Sequence, residues 1–395
     1  MVRKPRRGIA ELWARVERLR QGPLRDGAFK SGLHTERIAA LLGIALGVAF
    51  TTCFLTGVLS HLIQYPPDWF SWPSRPAGLY RITQGVHVFT GIASIPLLLA
   101  KLWAVYPRLW VWPPVDGVLH LVERVSLIPL VAGSLFLLVT GVQNIAYWYP
   151  WGFFFPAAHF SAAWITIGAL IVHIGAKATL TRRTLSRPAR RAEPAAAGRT
   201  RRAFLGTVAA TSGILLVTTI GETLAPLRRL AVLAPRRLGV GPQNLPVNQS
   251  AAAANVEETA RDPGYRLTVS GRVARPLRLS LEDLGAMPQS QATLPIACVE
   301  GWSVEALWRG VRIADLLALA AAAPDASIVV ESLQRGGVYR SSELNPSHAH
   351  DPDTLLALMV NGEVLHIDHG FPARLIGPNR PGVMQTKWVT ELVVT

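Results

Sequence analysis

The sequence predicts two structural classes in one chain: an N-terminal all-α transmembrane helix bundle, four helices plus a fifth anchor helix, and a C-terminal α+β domain. Three observations predict it. Half of the 395 residues are hydrophobic and the mean hydropathy is +0.28, which is high for a soluble protein. The net charge of +15 is unevenly placed: residues 1–37 hold ten Lys/Arg and residues 177–202 hold nine, whereas residues 261–395 hold twelve Lys/Arg against fourteen Asp/Glu. From residue 265 the long apolar runs give way to short alternating segments. Basic clusters confined to the flanks of apolar runs are a positive-inside signature, and they exclude nucleic acid as the partner.

A helix needs about 20 mostly apolar residues to cross a bilayer. Residues 38–67 carry no Asp, Glu, Lys or Arg and predict one span, and residues 82–100, between Arg81 and Lys101, predict a second. Residues 125–176 are also free of those charges but too long for one helix. The segment YWYPWGFFFP (147–156) divides them, because its prolines break a helix and its Trp and Tyr suit a water–lipid interface. The third span is then near 121–146, the fourth near 157–178, and residues 203–221 make a shorter fifth.

The basic N-terminus, the 101–124 connection and the 177–202 segment face the cytoplasm, while the loops at 68–80 and 147–156 face out. This predicts a multi-pass protein of the cell membrane with an extracytoplasmic C-terminal domain. The divisions are a cytoplasmic basic segment (1–37), a four-helix domain (38–180), a basic loop (181–202), a fifth helix (203–222), a linker (223–264) and the C-terminal domain (265–395). GIAELWARVERLRQG (8–22) reads either as an amphipathic helix on the inner membrane surface or as an undocked basic arm. TRRAFLG (200–206) resembles a twin-arginine export motif, with Gly206 where a lysine is usual, and implies the twin-arginine export machinery as a partner.

In the C-terminal domain YRLTVSGRV reads as a strand, and LRLSLEDLGAMP as a strand followed by a short helix begun by Ser280. VRIADLLALAAAAP (311–324) reads as helical. SIVVESL and GGVYRSSE read as strands around a Gly-Gly turn, Asn361–Gly362 as a hairpin turn, and KWVTELVVT as the closing strand. Cys298, in LPIACVEGWS, has no partner cysteine in its domain, and Cys53 lies in a predicted span. An exported domain normally oxidises its cysteines in pairs, so Cys298 is an inert thiol, a nucleophile or a metal ligand.

LPIACVEGWS (294–303) and WRGVRIADLL (308–317) resemble the molybdopterin-binding domain of the sulfite oxidase family, and CVEGW resembles its methionine-sulfoxide-reducing branch. The resemblance continues through VYRSSEL (338–344), LLALMVNGEVLHIDHGFPARLIGPN (355–379) and KWV (387–389). It implies a sulfite-oxidase-like fold and a molybdenum–molybdopterin cofactor, with Cys298 as the molybdenum ligand. It also implies that His369, Arg374, Lys387 and the Gly382 backbone bind the pterin phosphate, that Tyr339 is an active-site residue near the metal, and that Asn248 touches the pterin. A soft thiolate suits such a metal, and a phosphate needs convergent cations and free N–H groups. Arg309 and Arg312 are candidates for an anion pocket or for solvated surface. Sulfite oxidases carry an arginine soon after the ligand cysteine; here Glu300 and Glu305 stand in that stretch. The acidic surroundings suit sulfite poorly and leave a neutral sulfoxide or N-oxide open, so the enzyme reads as a sulfoxide or N-oxide reductase or as sulfite-oxidase-like.

Five histidines, His61, His87, His120, His159 and His173, lie in or at the edges of the first four spans. His159 and His173 are 14 residues apart, which places them about 40° apart around a helix and about 21 Å apart along it. That spacing suits one haem near each membrane surface, His87–His159 at the outer one and His173 with His34 or His120 at the inner one. The arrangement resembles the four-helix b-type cytochromes that serve hydrogenases and formate dehydrogenases, which implies haem b and electron exchange with quinone or another carrier. The alternatives are helix-to-helix hydrogen bonding by the same histidines, with a separate electron partner, or an anchored binding module without a cofactor.

Overall fold

A computed structural model describes residues 29, 31–110, 115, 117–186, 195–234 and 236–395. The segment 8–22, most of 1–37 and part of the 181–202 loop lie outside them. Among the described residues five helices are long and apolar enough to cross a membrane: α1 (Glu36–Gln64), α2 (Leu79–Val105), α3 (Val118–Ile145), α4 (Phe155–Ser186) and α5 (Ala195–Ile220). The first three fall within a few residues of the predicted spans. α4 runs on to Ser186 and α5 begins at Ala195, so Arg201 and Arg202 lie inside a helix. Arg and Lys are good helix formers whose long stems let a helix continue past its apolar stretch.

The chain forms two compact units. The first comprises the residues up to Phe54, Thr90–Val142 and Trp151–Leu216. There Ile38 and Leu42 of α1 pack with Ala104 of α2 and Val208 of α5. Lys101, an ammonium on an apolar helix, donates to the Ala39 carbonyl at 2.5 Å. Lys177 of α4 pairs with Glu123 of α3 at 2.6 Å. Gly133 of α3 is required by its neighbour, since a Cβ there would lie 2.1 Å from Thr166 Oγ1 of α4.

The second unit comprises Leu55–Phe89, Gln143–Pro150 and Val217–Thr395. It holds two five-stranded sheets. One has the order β2 (Leu277–Leu279), β1 (Leu267–Gly271), β10 (Val389–Val394), β5 (Ile328–Ser332), β6 (Ser341–Leu344). The other has β3 (Ser290–Ala297), β4 (Ser303–Arg312), β7 (Leu355–Val360), β8 (Glu363–Val364), with β9 (Arg374–Ile376) also paired to β7. All pairings are antiparallel except β1 with β10. The predicted α+β character thus stands. Ser280 caps Leu281–Ala286 through a reciprocal bond with Asp283. Asn361 and Gly362, both at positive φ, turn β7 into β8. The helix expected over 311–324 is shorter, Ile313–Leu319, because Val311 and Arg312 still pair with β7. Of GGVYRSSE only the end is strand: Val338–Arg340 forms a 3₁₀ turn before β6.

The α1–α2 connection belongs to this same unit and is stitched to its sheets. Asn379, buried, donates to the Pro73 carbonyl (2.7 Å), accepts from the Tyr80 N–H (2.7 Å), and through its own carbonyl accepts from the Trp72 indole (2.9 Å). Arg75 donates to both oxygens of Asp351, at 2.9 and 2.8 Å. Asn379→Ala removes two side-chain bonds, leaves a buried donor and acceptor unpaired, and puts a Cβ-only residue at φ +53. It should lower unfolding stability by about 2–4 kcal/mol, read as a lower denaturation midpoint of the detergent-purified protein.

Candidate active site

Cys298 is the first residue after β3, in a tight turn closed by its N–H donating to the Trp302 carbonyl at 2.9 Å. Gly301, at φ +95, donates back to the Cys298 carbonyl at 3.1 Å. The thiol is 2% exposed, and Asn248 Nδ2 lies 3.9 Å from its sulfur. Burial, and then the Glu300 carboxylate, push the thiol's pKa well above its ordinary value. Such a sulfur is a poor free nucleophile, because the reactive form is the thiolate. A metal that replaces the proton makes the same sulfur a ligand, which favours the third of the three roles left open by the sequence. Glu300 is itself buried, accepts from the Trp302 indole at 2.9 Å and pairs with Arg236 at 3.5 Å. Burial raises its pKa, and Trp302 and Arg236 oppose the rise.

The cationic residues approach from the other side of one cleft. His369 ends a 3₁₀ turn (Ile367–His369), and its Nε2 donates to the Pro242 carbonyl at 2.7 Å. Burial lowers its pKa to about 4, so the ring is neutral. Arg374 opens β9, is 5% exposed, and donates to the His369 carbonyl at 3.2 Å. Its guanidinium lies 5.3 Å over the Trp308 ring and its Nε has no hydrogen-bond partner. Lys387 donates to the Gln249 and Asp368 carbonyls and lies 4.4 Å over the Trp388 ring. Burial, then Arg374, lower its pKa to about 7. Gly370, at φ +113, allows this approach: a Cβ there would lie 3.1 Å from Arg374 Cβ and 3.2 Å from Lys387 Cα.

Cys298, Asn248, His369, Arg374, Gly382 and Lys387, all assigned from the sequence, line one cleft. Trp302, Pro246 and Asp368 line it too and were not assigned. Asp368 accepts from the Ala251 N–H at 2.7 Å and so pins the linker over the cleft; its place in HIDHG was visible in the sequence, its role was not. Tyr339 is not among the lining residues. Its hydroxyl donates to Gln64 Oε1 at 3.3 Å, because the 3₁₀ turn that interrupts the expected strand aims it at the end of α1. Arg309 and Arg312 are exposed, as solvated surface residues are.

The histidines of the helices are placed separately. His87 lies in the second unit with the Thr56 hydroxyl 3.4 Å from its Nδ1, and His159 in the first with the Thr140 hydroxyl at 3.3 Å. His34 Nδ1 is 3.3 Å from the Ala104 carbonyl, and His120 accepts from Arg124 at 3.3 Å. His173 Nδ1 is buried with no hydrogen-bond partner. Among the described residues no group of three or more His, Cys, Asp or Glu is arranged to hold a metal ion.

Residues 253–395 match the family of oxidoreductase molybdopterin-binding domains, and the C-terminal part of the chain is a domain of that class. It is 34% identical to an Azospira oryzae protein provisionally named protein-methionine-sulfoxide reductase subunit YedZ1, over 33% of this chain and 49% of that one. It is 33% identical to the uncharacterized oxidoreductase YuiH of Bacillus subtilis, over 33% of this chain and 65% of that one. It is 29% identical to the sulfite oxidase of Arabidopsis thaliana, over 33% of this chain and 42% of that one. The chain therefore spans about half the length of these curated relatives.

The residues present fit the cofactor this class implies. Arg374 has an orphaned buried Nε, Lys387 has only carbonyl hydrogen-bond partners, and among the described residues neither has an ion pair, which is the donor set a phosphate needs. Arg374, Lys387 and the Gly382 turn would hold a phosphate, and Cys298 would hold the metal. The mispaired charge has a consequence in the cofactor-free protein. Lys387 binds fewer protons folded than unfolded between about 7 and the ordinary 10.5, so stability should rise with pH across that window. Lys387→Met should flatten the rise, measured as denaturation midpoint against pH.

Proposed function

We propose that the chain is a membrane-anchored, molybdenum-cofactor-dependent oxidoreductase that reduces a neutral S-oxide or N-oxide outside the cytoplasm. The observation that carries this is the single cleft joining a buried thiol to a pair of unpaired cations. The cofactor supplies two-electron oxygen-atom transfer. The net reaction is R₂S=O + 2e⁻ + 2H⁺ → R₂S + H₂O, with both electrons taken from a quinol, which becomes quinone and releases two protons. The protein would hold the metal at Cys298 and anchor the phosphate at Arg374 and Lys387, with Trp302 lining the same cleft. Glu300, in the stretch after the ligand cysteine where sulfite oxidases carry an arginine, supports a neutral oxide over sulfite.

Five apolar helices and the basic flanks support a membrane anchor. Transmembrane transfer through haem b at His87 and His159, with His173 and His34 or His120 further in, fits the histidine spacing and the buried unbonded Nδ1 of His173. The threonine partners of His87 and His159 favour the second reading, in which these histidines join helix to helix and a separate protein delivers the electrons.

Elemental analysis of detergent-purified protein from a cofactor-competent host separates these readings. Molybdenum near one per chain is expected, and its absence would sink the enzyme. Iron at one or two per chain supports the haem route, while iron at background selects the external partner. Cys298→Ser should cut turnover by on the order of 10³ or more while the pterin remains bound.

A further inference from the structure

α5 ends at Ile220, and the chain then folds back on it. Gly221–Thr223 and Ala225–Leu230 form two 3₁₀ turns, and the Leu233 N–H donates to the Thr218 carbonyl at 2.8 Å. The fold-back is tight: a Cβ on Gly221 would lie 3.3 Å from Leu227 Cβ. It carries two kinds of side chain that the protein leaves unsatisfied. Glu222 is 3% exposed, and its Oε2 has no hydrogen-bond partner among the described residues. The buried Oγ1 of Thr223 has none either. In the same fold-back Leu224, Leu230, Val232 and Leu233 are 55–64% exposed.

Exposed aliphatic side chains at the end of a membrane helix ordinarily anchor it in the headgroup layer. Anchoring accounts for the apolar rim and not for the carboxyl. An acid in an anchoring segment faces water, whereas this one is covered by protein and its oxygen is unpaired, which costs stability unless a further group completes it. Arg228 lies in the next turn, yet no hydrogen bond joins it to that oxygen. An orphaned acceptor next to an orphaned hydroxyl, under an apolar rim, matches a molecule with a hydroxylated head and an apolar tail. The level along the helices fits electron entry. α5 runs antiparallel to α2: Val208 packs with Ala104, and Ser212 donates to the Ala93 carbonyl at 3.2 Å. Glu222 is about 15 Å beyond Ser212, and His87 about 9 Å beyond Ala93 in the same direction, so the two differ in level by about one helical turn.

We propose that this fold-back is a quinol site, in which Glu222 takes the proton of one quinol hydroxyl, Thr223 holds the head and the aliphatic rim receives the tail from the lipid. The inference rests on the oxide-reductase reading above and adds the place where its electrons enter. An O–H bond of the quinol breaks at Glu222, and its proton passes to the carboxylate and on to water. The second hydroxyl releases its proton to water, and the two electrons are taken up in the reduction of the S-oxide or N-oxide. Quinol becomes quinone, and the two protons set free balance the two consumed with the oxide oxygen. A carboxyl with no cation bonded to it suits this task, because its charge has to come and go.

The test uses the molybdenum-loaded enzyme in lipid nanodiscs, with dimethyl sulfoxide, methionine sulfoxide or trimethylamine N-oxide as oxidant. The donor is reduced methyl viologen or a short-tailed quinol, decylubiquinol and menaquinol-1 each being tried. The wild type should turn over with viologen and with at least one quinol. Glu222→Gln, nearly isosteric, should cut quinol-driven kcat about a hundredfold, the contribution of a positioned base, and leave viologen-driven turnover and molybdenum content as they were. Thr223→Val should raise the quinol KM about fivefold, the loss of one hydrogen bond, with kcat kept. A Glu222→Gln variant with wild-type quinol kcat overturns the site, and so does an equal loss with both donors, which is a structural effect. If Glu222→Gln does not fold, Thr223→Val decides, and an unchanged quinol KM overturns the site. A wild type that turns over with viologen and with neither quinol also overturns it, while the oxide-reductase reading stands with an external electron partner. A molybdenum-loaded wild type that reduces no oxide even with viologen overturns that reading and the inference with it, and is seen before any variant is made.

Discussion

Arg374, Lys387 and His369 are held together in a cleft where among the described residues no carboxylate pairs with the two cations, and much of the domain is arranged around that cost. Desolvation lowers all three pKa values, to about 10, 7 and 4. Cations are not normally buried this way without partners. The backbone compensates in part: carbonyls of Gln249, Asp368 and His369 face the charges, and the Trp308 and Trp388 rings lie under them. A phosphate bound there would complete the compensation. It would exchange cation–carbonyl contacts for charge-assisted bonds, which are about twice as strong as neutral ones, and so stabilise the loaded domain over the empty one.

The same logic runs through the thiol side. Burial drives Cys298 and Glu300 toward their neutral forms; the Glu300 carboxylate raises the thiol's pKa further, while Trp302, Arg236 and Cys298 itself hold that of Glu300 down. A metal held at Cys298 would take the place of the thiol's proton, and Arg236 and Trp302 are placed to hold negative charge on Glu300. Arg236 comes from the linker after α5, outside the matched domain. So the charge balance of the Cys298 loop is completed by a segment outside the matched domain.

How much of this the sequence carried depends on the range of each signal. The apolar helices were legible because twenty uncharged residues are a local fact, and the hairpin at Asn361–Gly362 because I′ turns need those residue types. The cleft residues were legible through resemblance, since Cys298, His369, Arg374 and Lys387 sit in motif order. Tyr339 shows the limit. A strand pattern predicts alternation of side chains, but the turn at Val338–Arg340 re-aims the ring, and its partners Gln64 and Tyr65 are more than 270 residues away in the chain. Arg236 and Asn379 were missed for the same reason. Their partners are chosen by packing between the helix ends and the sheets, and no local spacing encodes that.

Those long-range contacts change what a molybdopterin domain of this kind can do. A domain on a free tether meets its substrate and its electron donor wherever it diffuses. Here the loop bearing the metal ligand is bonded through Val299 to Gln84 of α2, three residues from His87 and so nearly one turn along the same helix. Gly301 of that loop is packed against Val88, with a Cβ there only 2.9 Å from the valine side chain. Such a contact has no room for sliding. It fixes the distance from Cys298 to the end of α2 that carries Gln84 and Val88. The hydrogen bond to Val299 and the packing of Gly301 are thus parts of one junction, and loosening it would free both.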